Sequence, residues 1–290
     1  MIGLKTMRNR GDQKIMKLDR HNVLSKFFFS ILLAALVVIP QNSQATEYNL
    51  HHNPQSYVLS KLQSNDIVFL GTRHKQPPIL NFVSELITVL QDSGVTHIGL
   101  EVASDQQENI DHYMKTGFGL NDIQIHSQID CPEYRNLFNV LMDLNPDKRL
   151  SPITLDLPKS KYKENISRDE WIARSIAGVF ESNPNAKMLV VVGNNHVLKK
   201  LDWQDQVINN HRSIREYLSE KRRKLRIYSI GQAIGESVYE DDFRREFGPI
   251  DGAVALDLDA RYAGWKLGIV DSVAIKRGEV WELLDGVIVY

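Results

Sequence analysis

Two histidines follow predicted strands through the same short spacing. The apolar run Ile67–Leu70 ends in Gly-x-x-His at His74, and the run Met188–Val192 ends in the same motif at His196. Glycine permits a sharp turn with positive φ and lets the backbone approach a ligand closely. In a parallel α/β sheet, the loops after the carboxyl ends of the strands line the ligand crevice. We therefore expect both imidazoles to reach one site.

Two acidic residues occupy comparable positions. Glu101 directly follows the predicted strand Val95–Leu100, and Asp156 lies near the end of the next predicted strand. Two imidazoles and a carboxylate are a common ligand set for a divalent metal with an open position. Alternatively, a carboxylate and a histidine act as general base and acid without a metal. His74, Glu101 and His196 are therefore the candidate catalytic and metal-ligating residues.

Each of these residues also has an ordinary structural role to be weighed. A single Gly-x-x-His is a weak pattern, because loop glycines and histidines are common, and it is the repetition that favours a site. Asp156 stands shortly before Pro158, which suits a plain turn. Arg168, in the first turn of a predicted helix, could bind an anionic group as a cofactor-binding residue, or form a surface ion pair. No Gly-x-Ser-x-Gly, P-loop or His-Glu-x-x-His motif is present.

The surrounding pattern predicts an α/β domain with a mainly parallel sheet flanked by helices. A strand at 66–70, a helix at 79–92 with apolar residues at helical spacing, and a strand at 95–100 form a β-α-β unit. About fifty residues separate this unit from the strand at 153–157, more than a crossover needs, so they are expected to form a lid or pocket wall. Further strands are predicted at 188–192, 225–230, 253–256, 267–274 and 287–290, and further helices at 104–115, 133–144, 167–181 and 213–224.

The amino terminus has the pattern of a secretory signal peptide. Residues 1–26 carry seven basic and two acidic residues, and an apolar run at 27–39 precedes the small residues Ser43 and Ala45. We expect cleavage near Ala45, a single domain at 46–290, and a periplasmic or secreted location without a stable membrane span; the alternative is an uncleaved anchor. Cleavage would change the formal charge from −1 to −6, which argues against nucleic acid as a partner. Cys131 is the only cysteine, so no internal disulfide forms.

The chain resembles the group that unites ChaN-like haem-binding proteins, TraB/GumN proteins, Tiki proteases and erythromycin esterases. The resemblance implies the same α/β fold, and a site built from the Gly-x-x-His pair and acidic residues, here His74, Glu101 and His196. Several branches carry Glu directly after the first glycine, and Thr72 stands there in this chain. That departure weakens an esterase mechanism that uses such a Glu. The resembling segments are 70–74, 99–101, 168–173, 192–196 and 284–289.

The branches of this group perform metal-dependent proteolysis, ester hydrolysis, or haem and iron handling. The leading expectation is an exported metal-assisted hydrolase of peptidase or esterase type, acting on a small molecule or peptide. The alternative is a ChaN-like haem or iron protein of the cell envelope, with Tyr113 or Tyr134 as an axial ligand. An inactive interaction domain is the third possibility. The sequence leaves open the substrate, the metal or haem, and the oligomeric state.

Overall fold

Short apolar segments pair into one eight-stranded sheet. The computed structural model describes residues 50–144, 146, 150–200, 212–220, 224–233, 240–248, 251–265 and 279–290. The predicted signal peptide at 1–45 and the predicted strand at 267–274 lie outside these residues. The strands are Leu50–His51 (β1), Ile67–Thr72 (β2), His97–Ala103 (β3), Ser151–Asp156 (β4), Met188–Gly193 (β5), Ile227–Ala233 (β6), Val254–Asp257 (β7) and Gly286–Val289 (β8).

The helices alternate with these strands over most of the described chain. Three of them begin with a proline. The fixed φ of proline suits a helix, and its missing N–H is no loss in the first turn, where the N–H groups have no partner within the helix. The α-helices are Pro54–Ser64 (α1), Pro77–Leu90 (α2), Gln107–Thr116 (α3), Pro132–Asp143 (α4), Arg168–Ser182 (α5), Ile214–Ser219 (α6), Glu240–Phe247 (α7) and Val280–Leu283 (α8).

The sheet is mainly parallel, as the sequence predicted. Its strand order is β1-β7-β8-β6-β2-β5-β3-β4, and only the β1–β7 and β7–β8 pairs are antiparallel. The strands β2, β5, β3 and β4 are therefore parallel neighbours. Their carboxyl ends lie along one rim of the sheet, and this rim carries the residues discussed below.

The core forms on both faces of the central strands. All six residues of β2 and all six of β5 are buried, as expected for strands covered on both sides. One set of alternate residues, including Val68 and Val191, packs in a hydrophobic cluster with apolar side chains of α1 to α4. Of the remaining helices, α5 packs against β4 and α6. Among the described residues, no helix has the length and apolar character needed to cross a membrane.

The long segment between β3 and β4 is mainly core rather than a lid. Its helices α3 and α4 pack on one another, and α4 also packs on α2. Leu137, Phe138 and Leu141 of α4 are fully buried. The expectation of a pocket wall fits α3, which lines a cavity of about 720 Å³ together with β4 and α5.

The strand β4 stands at the end of the sheet, and its free edge is covered by a side chain. Gln107 Nε2 donates to Pro152 O at 3.0 Å, and Gln107 Oε1 accepts from Thr154 N at 2.8 Å. The primary amide thus pairs with two outward backbone groups as a neighbouring strand would.

Candidate active site

The two Gly-x-x-His motifs lie on neighbouring strands. β2 and β5 are paired so that Thr72 lies opposite Gly193, and their exit loops run side by side. A methyl group on Gly193 would lie 3.5 Å from Glu101 Oε2, 3.7 Å from His196 Cδ2 and 4.0 Å from His74 Nε2. The structure therefore brings the three predicted catalytic side chains around one point.

The two glycines do not have the positive φ that the sequence suggested. Neither Gly71 nor Gly193 is among the described residues with positive φ, and Gly193 has φ −56°. At Gly71, space is the reason for glycine instead, because a Cβ there would lie 2.1 Å from Asn194 Oδ1. A Cβ on Gly193 would make only ordinary contacts of 3.5 Å or more, but it would occupy the centre of the cluster.

Arg168 links the acidic residues to His196. Its Nε donates to Asp156 Oδ1 at 2.5 Å, and its Nη2 donates to Asp156 Oδ2 at 2.8 Å and to Glu101 Oε1 at 2.5 Å. Its Nη1 lies 3.1 Å from His196 Nε2. The sequence predicted an anionic cofactor as the partner of Arg168, and in the structure Arg168 binds carboxylates of the chain itself. A guanidinium has five N–H groups, so one on Nη1 has no partner among the described residues, on a side chain that is 38% exposed.

Glu101 is a buried carboxylate with both oxygens in use. Its side chain is 4% exposed, and Oε2 accepts from the Gly193 N–H at 2.6 Å while Oε1 accepts from Arg168. Burial raises the pKa of the Glu101 carboxyl. The nearby charges of His196 and Arg168, with these hydrogen bonds, outweigh burial and hold the pKa below its usual value.

His196 is oriented by a carboxylate that the sequence analysis did not select. His196 Nδ1 lies 2.5 Å from Asp169 Oδ1, so in the neutral ring Nδ1 carries the proton and Nε2 accepts from Arg168. Burial lowers the pKa of His196, but the charge and hydrogen bond of Asp169 outweigh it and raise the pKa above its usual value. Protonation makes Nε2 a donor and breaks its bond from Arg168.

Asp169 had a recognisable position in the sequence. It follows Arg168 in the first turn of α5, where the N-cap residue Ser167 accepts from Glu170 N at 3.0 Å through its Oγ. The side chain of Glu170 accepts from Arg174 Nη2 at 2.5 Å. A helix that begins beside the carboxyl ends of parallel strands presents its first-turn side chains to the same rim. This position in the first turn of the predicted helix is the feature by which the sequence could have identified Asp169 as a site residue.

His74 differs from the other members of the cluster. It is exposed, and it makes no hydrogen bond or ion pair to another residue in the described ranges. The next residue, Lys75, has φ +52°, the only positive φ of a non-glycine residue among those described. Such a backbone conformation is uncommon outside glycine, and it clusters at functional sites.

The predicted metal site does not fit this set of donors. Within the described part of the chain, no group of three or more His, Cys, Asp or Glu side chains is arranged to hold a metal ion. Both oxygens of Glu101 and both nitrogens of His196 already have partners, and the Arg168 cation lies between them. Only His74 of the three predicted ligands keeps an unshared nitrogen.

The two tyrosines suggested for haem also do not fit. Tyr113 is 6% exposed and donates to Asn139 Oδ1 at 2.7 Å, and Tyr134 is 3% exposed. Burial raises the pKa of both hydroxyls, so neither is poised to become the tyrosinate that ligates haem iron.

The chain shares its fold with several solved structures at low sequence identity. Comparison with protein-family models and with curated protein sequences gives no match. An erythromycin esterase mutant in its open conformation has a TM-score of 0.59 and 12% identity, over 81% of this chain and 92% of that one. A succinoglycan biosynthesis protein has a TM-score of 0.58 and 12% identity, over 80% and 89%.

A third solved structure, a protein from Bacillus cereus, has a TM-score of 0.55 and 13% identity, over 80% of this chain and 90% of that chain. Likeness at this level of identity shows the fold. The chain therefore has the α/β fold of the erythromycin esterase, one of the proteins that its motifs resemble.

Proposed function

We propose that this chain is an exported hydrolase that cleaves a carboxylic ester by acid–base catalysis without a metal. The observation that carries the proposal is the contrast between the two histidines. His74 is exposed, and its imidazole has no partner in the part of the chain that the structure describes, whereas His196 beside it is fixed between Asp169 and Arg168. His74 is available for proton transfer, and His196 holds the Arg168 guanidinium close to it.

In this scheme His74 is the general base. It takes a proton from water, and the resulting hydroxide attacks the ester carbonyl carbon. The carbonyl oxygen becomes an oxyanion that accepts from the second Nη1–H of Arg168, because a preorganised donor stabilises developing negative charge. The C–O bond to the alcohol then breaks, and His74 returns its proton to the leaving oxygen.

Buried and half-buried residues keep Arg168 in place for this step. Glu101 and Asp156 bind three of its N–H groups, and the His196–Asp169 pair sets the position of Nη1. Thr72 is consistent with this scheme, because the base is His74 and the residue after Gly71 has no part in it.

The test is hydrolysis of alkyl and p-nitrophenyl esters by the purified chain from residue 46 onward, with peptide substrates alongside. His74→Ala is expected to lower kcat by about 10²- to 10⁴-fold, the usual contribution of a positioned general base. Activity should survive dialysis against a chelator. The matched control is His112→Ala, which removes another exposed histidine, on α3.

Two results would contradict the proposal. One is a His74→Ala variant as active as the His112→Ala control. The other is activity that disappears with the chelator and returns on addition of a divalent metal, which would restore the metal-assisted scheme.

A further inference from the structure

The strands β2 and β6 stop pairing before they reach the rim of the sheet. β2 ends at Thr72 and β6 ends at Ala233, but the last residues that pair between them are Leu70 and Ile230. The residues beyond this point are buried in both strands, and buried backbone N–H and C=O groups are nearly always bonded. Partners other than the neighbouring strand are therefore needed between β2 and β6.

The side chain of Asn194 lies between the two strands. Asn194 is 7% exposed and stands two residues before His196. Its Oδ1 accepts from Gln232 N at 3.1 Å, and its Nδ2 donates to Gln232 O at 2.8 Å. A Cβ on Gly71 would lie 2.1 Å from the same Oδ1, so the amide also lies against β2. The motif that carries His196 is therefore bonded to β6.

The side chain of Gln232 makes the second link. It is fully buried, and its Nε2 donates at 2.6 Å to Gly71 O, three residues before His74. Its Oε1 accepts from Tyr290 Oη at 2.5 Å. A backbone carbonyl can only accept, which directs the NH2 end of the amide toward Gly71. Gln232 thus bonds both Gly-x-x-His motifs, the first through its side chain and the second through its backbone.

The two histidines depend on these links to different degrees. His196 is held directly by Asp169 and Arg168 through its ring nitrogens. His74 makes no hydrogen bond or ion pair to another described residue, so the backbone of its own motif sets where its ring lies. That motif begins at Gly71, the residue that Gln232 binds. Placement matters, because a shift of about 1 Å at a reacting group can lower a rate about 10²-fold.

We propose that Gln232 is a positioning residue, which sets the distance between His74 and His196 by bonding both motifs to β6. The inference rests on the proposed function for the role of His74 as general base. The effect of Gln232 on the position of His74 is independent of that role and can be measured on the folded protein alone.

The experiment compares Gln232→Met with Tyr290→Phe. Methionine is close to glutamine in size but cannot donate to Gly71 O, so the first motif loses this bond to β6. Tyr290→Phe is the matched control, because it removes the bond at the other end of the same amide and keeps the bond to Gly71. Gln232→Met also leaves the Tyr290 hydroxyl without its partner, so the double variant is measured alongside.

The first readout is the NMR signal of the His74 imidazole, assigned with His74→Ala. Its cross-peaks should shift in Gln232→Met and in the double variant, and should stay in place in Tyr290→Phe. If Gln232→Met does not fold, Gln232→Asn takes its place, because its amide is one methylene too short to reach Gly71 O. A His74 signal that stays in place in the folded Gln232 variant would overturn the proposal.

Turnover provides the second readout. Gln232→Met should lower kcat about 10- to 100-fold with little change in KM, because the base is displaced while the groups that bind substrate remain. Tyr290→Phe should keep the kcat of the parent, with a Tm about 2–4 °C lower from the lost hydrogen bond. Equal losses of kcat in the two variants would overturn the positioning role. If no ester or peptide is hydrolysed, the proposed function fails, and the NMR comparison still decides whether Gln232 sets the position of His74.

Discussion

Replacing Glu101 by glutamine tests whether its buried carboxylate holds the site together. The carboxylate accepts from Arg168 Nη2 at 2.5 Å through one oxygen and from Gly193 N at 2.6 Å through the other. In Glu101→Gln the amide nitrogen replaces one of these oxygens. Because Nη2 and the Gly193 N–H are both donors, one of them then faces another donor and is left unpaired.

The expected loss is about 3 kcal/mol. Removing one partner of a buried ion pair typically costs about 3–5 kcal/mol. The lower end applies here, because solvent screens the 38% exposed Arg168 and Asp156 still binds it. For a protein of this size that loss corresponds to a Tm about 6–12 °C lower.

The assay is thermal or urea unfolding of the parent and of two variants. The matched control is Glu170→Gln, which removes a carboxylate that also bonds an arginine at 2.5 Å, but whose partner Arg174 is 59% exposed. An exposed pair of this kind contributes less than about 1 kcal/mol. The difference between the two variants therefore isolates burial.

The pH dependence gives the same test a second arm. The pKa of Glu101 is lowered in the folded protein, so its contribution is present above the unfolded value near 4.3 and is lost as pH falls through the folded value. The gap between parent and Glu101→Gln should narrow below about pH 4. A Glu101→Gln variant within about 1 kcal/mol of the parent at pH 7 would refute the reasoning.

The remaining predictions concern the glycines and the orienting carboxylate. Gly71→Ala should lower the free energy of unfolding in urea by about 1–3 kcal/mol, because its Cβ would meet Asn194 Oδ1 at 2.1 Å. Gly193→Ala, whose Cβ contacts are 3.5 Å or longer, should unfold like the parent but hydrolyse ester poorly. Equal stabilities of the Gly71→Ala and Gly193→Ala variants would contradict this. Asp169→Asn should lower the pKa of His196 in an NMR titration. The raised pKa means that protonated His196 stabilises the folded protein. The Tm of the parent should therefore exceed that of Asp169→Asn by the largest amount below about pH 6.5, and the difference should shrink as pH rises through the pKa of His196 in the folded protein. A Tm difference that does not change with pH would contradict this.

Hydrophobic pattern was sufficient for the central strands of the sheet and for most of the helices that cover them. The runs at 67–70 and 188–192 became the buried central strands because their residues are apolar on both faces. The parallel arrangement then placed the residues after β2 and β5 side by side. The two-residue strand β1 and the four-residue helix α8 were missed, since each is too short to show a period.

The contacts inside the site were beyond the reach of the pattern. The sequence placed Arg168 near the rim and treated Glu101 and His196 as metal ligands. It did not show that Arg168 would bind both of them, because that depends on how the first turn of α5 sits over the ends of β3, β4 and β5. The role of Asp169 depends on the same tertiary placement.

The amide of Gln107 affects how this molecule behaves among its own copies. An open edge strand offers unpaired N–H and C=O groups on which another chain can add a strand, which is a route to aggregation. At β4 the C=O of Pro152 and the N–H of Thr154 are bonded to Gln107, and proline itself offers no N–H. We therefore expect this one side chain to make β4 a poorer template on which a second copy of the chain could add a strand.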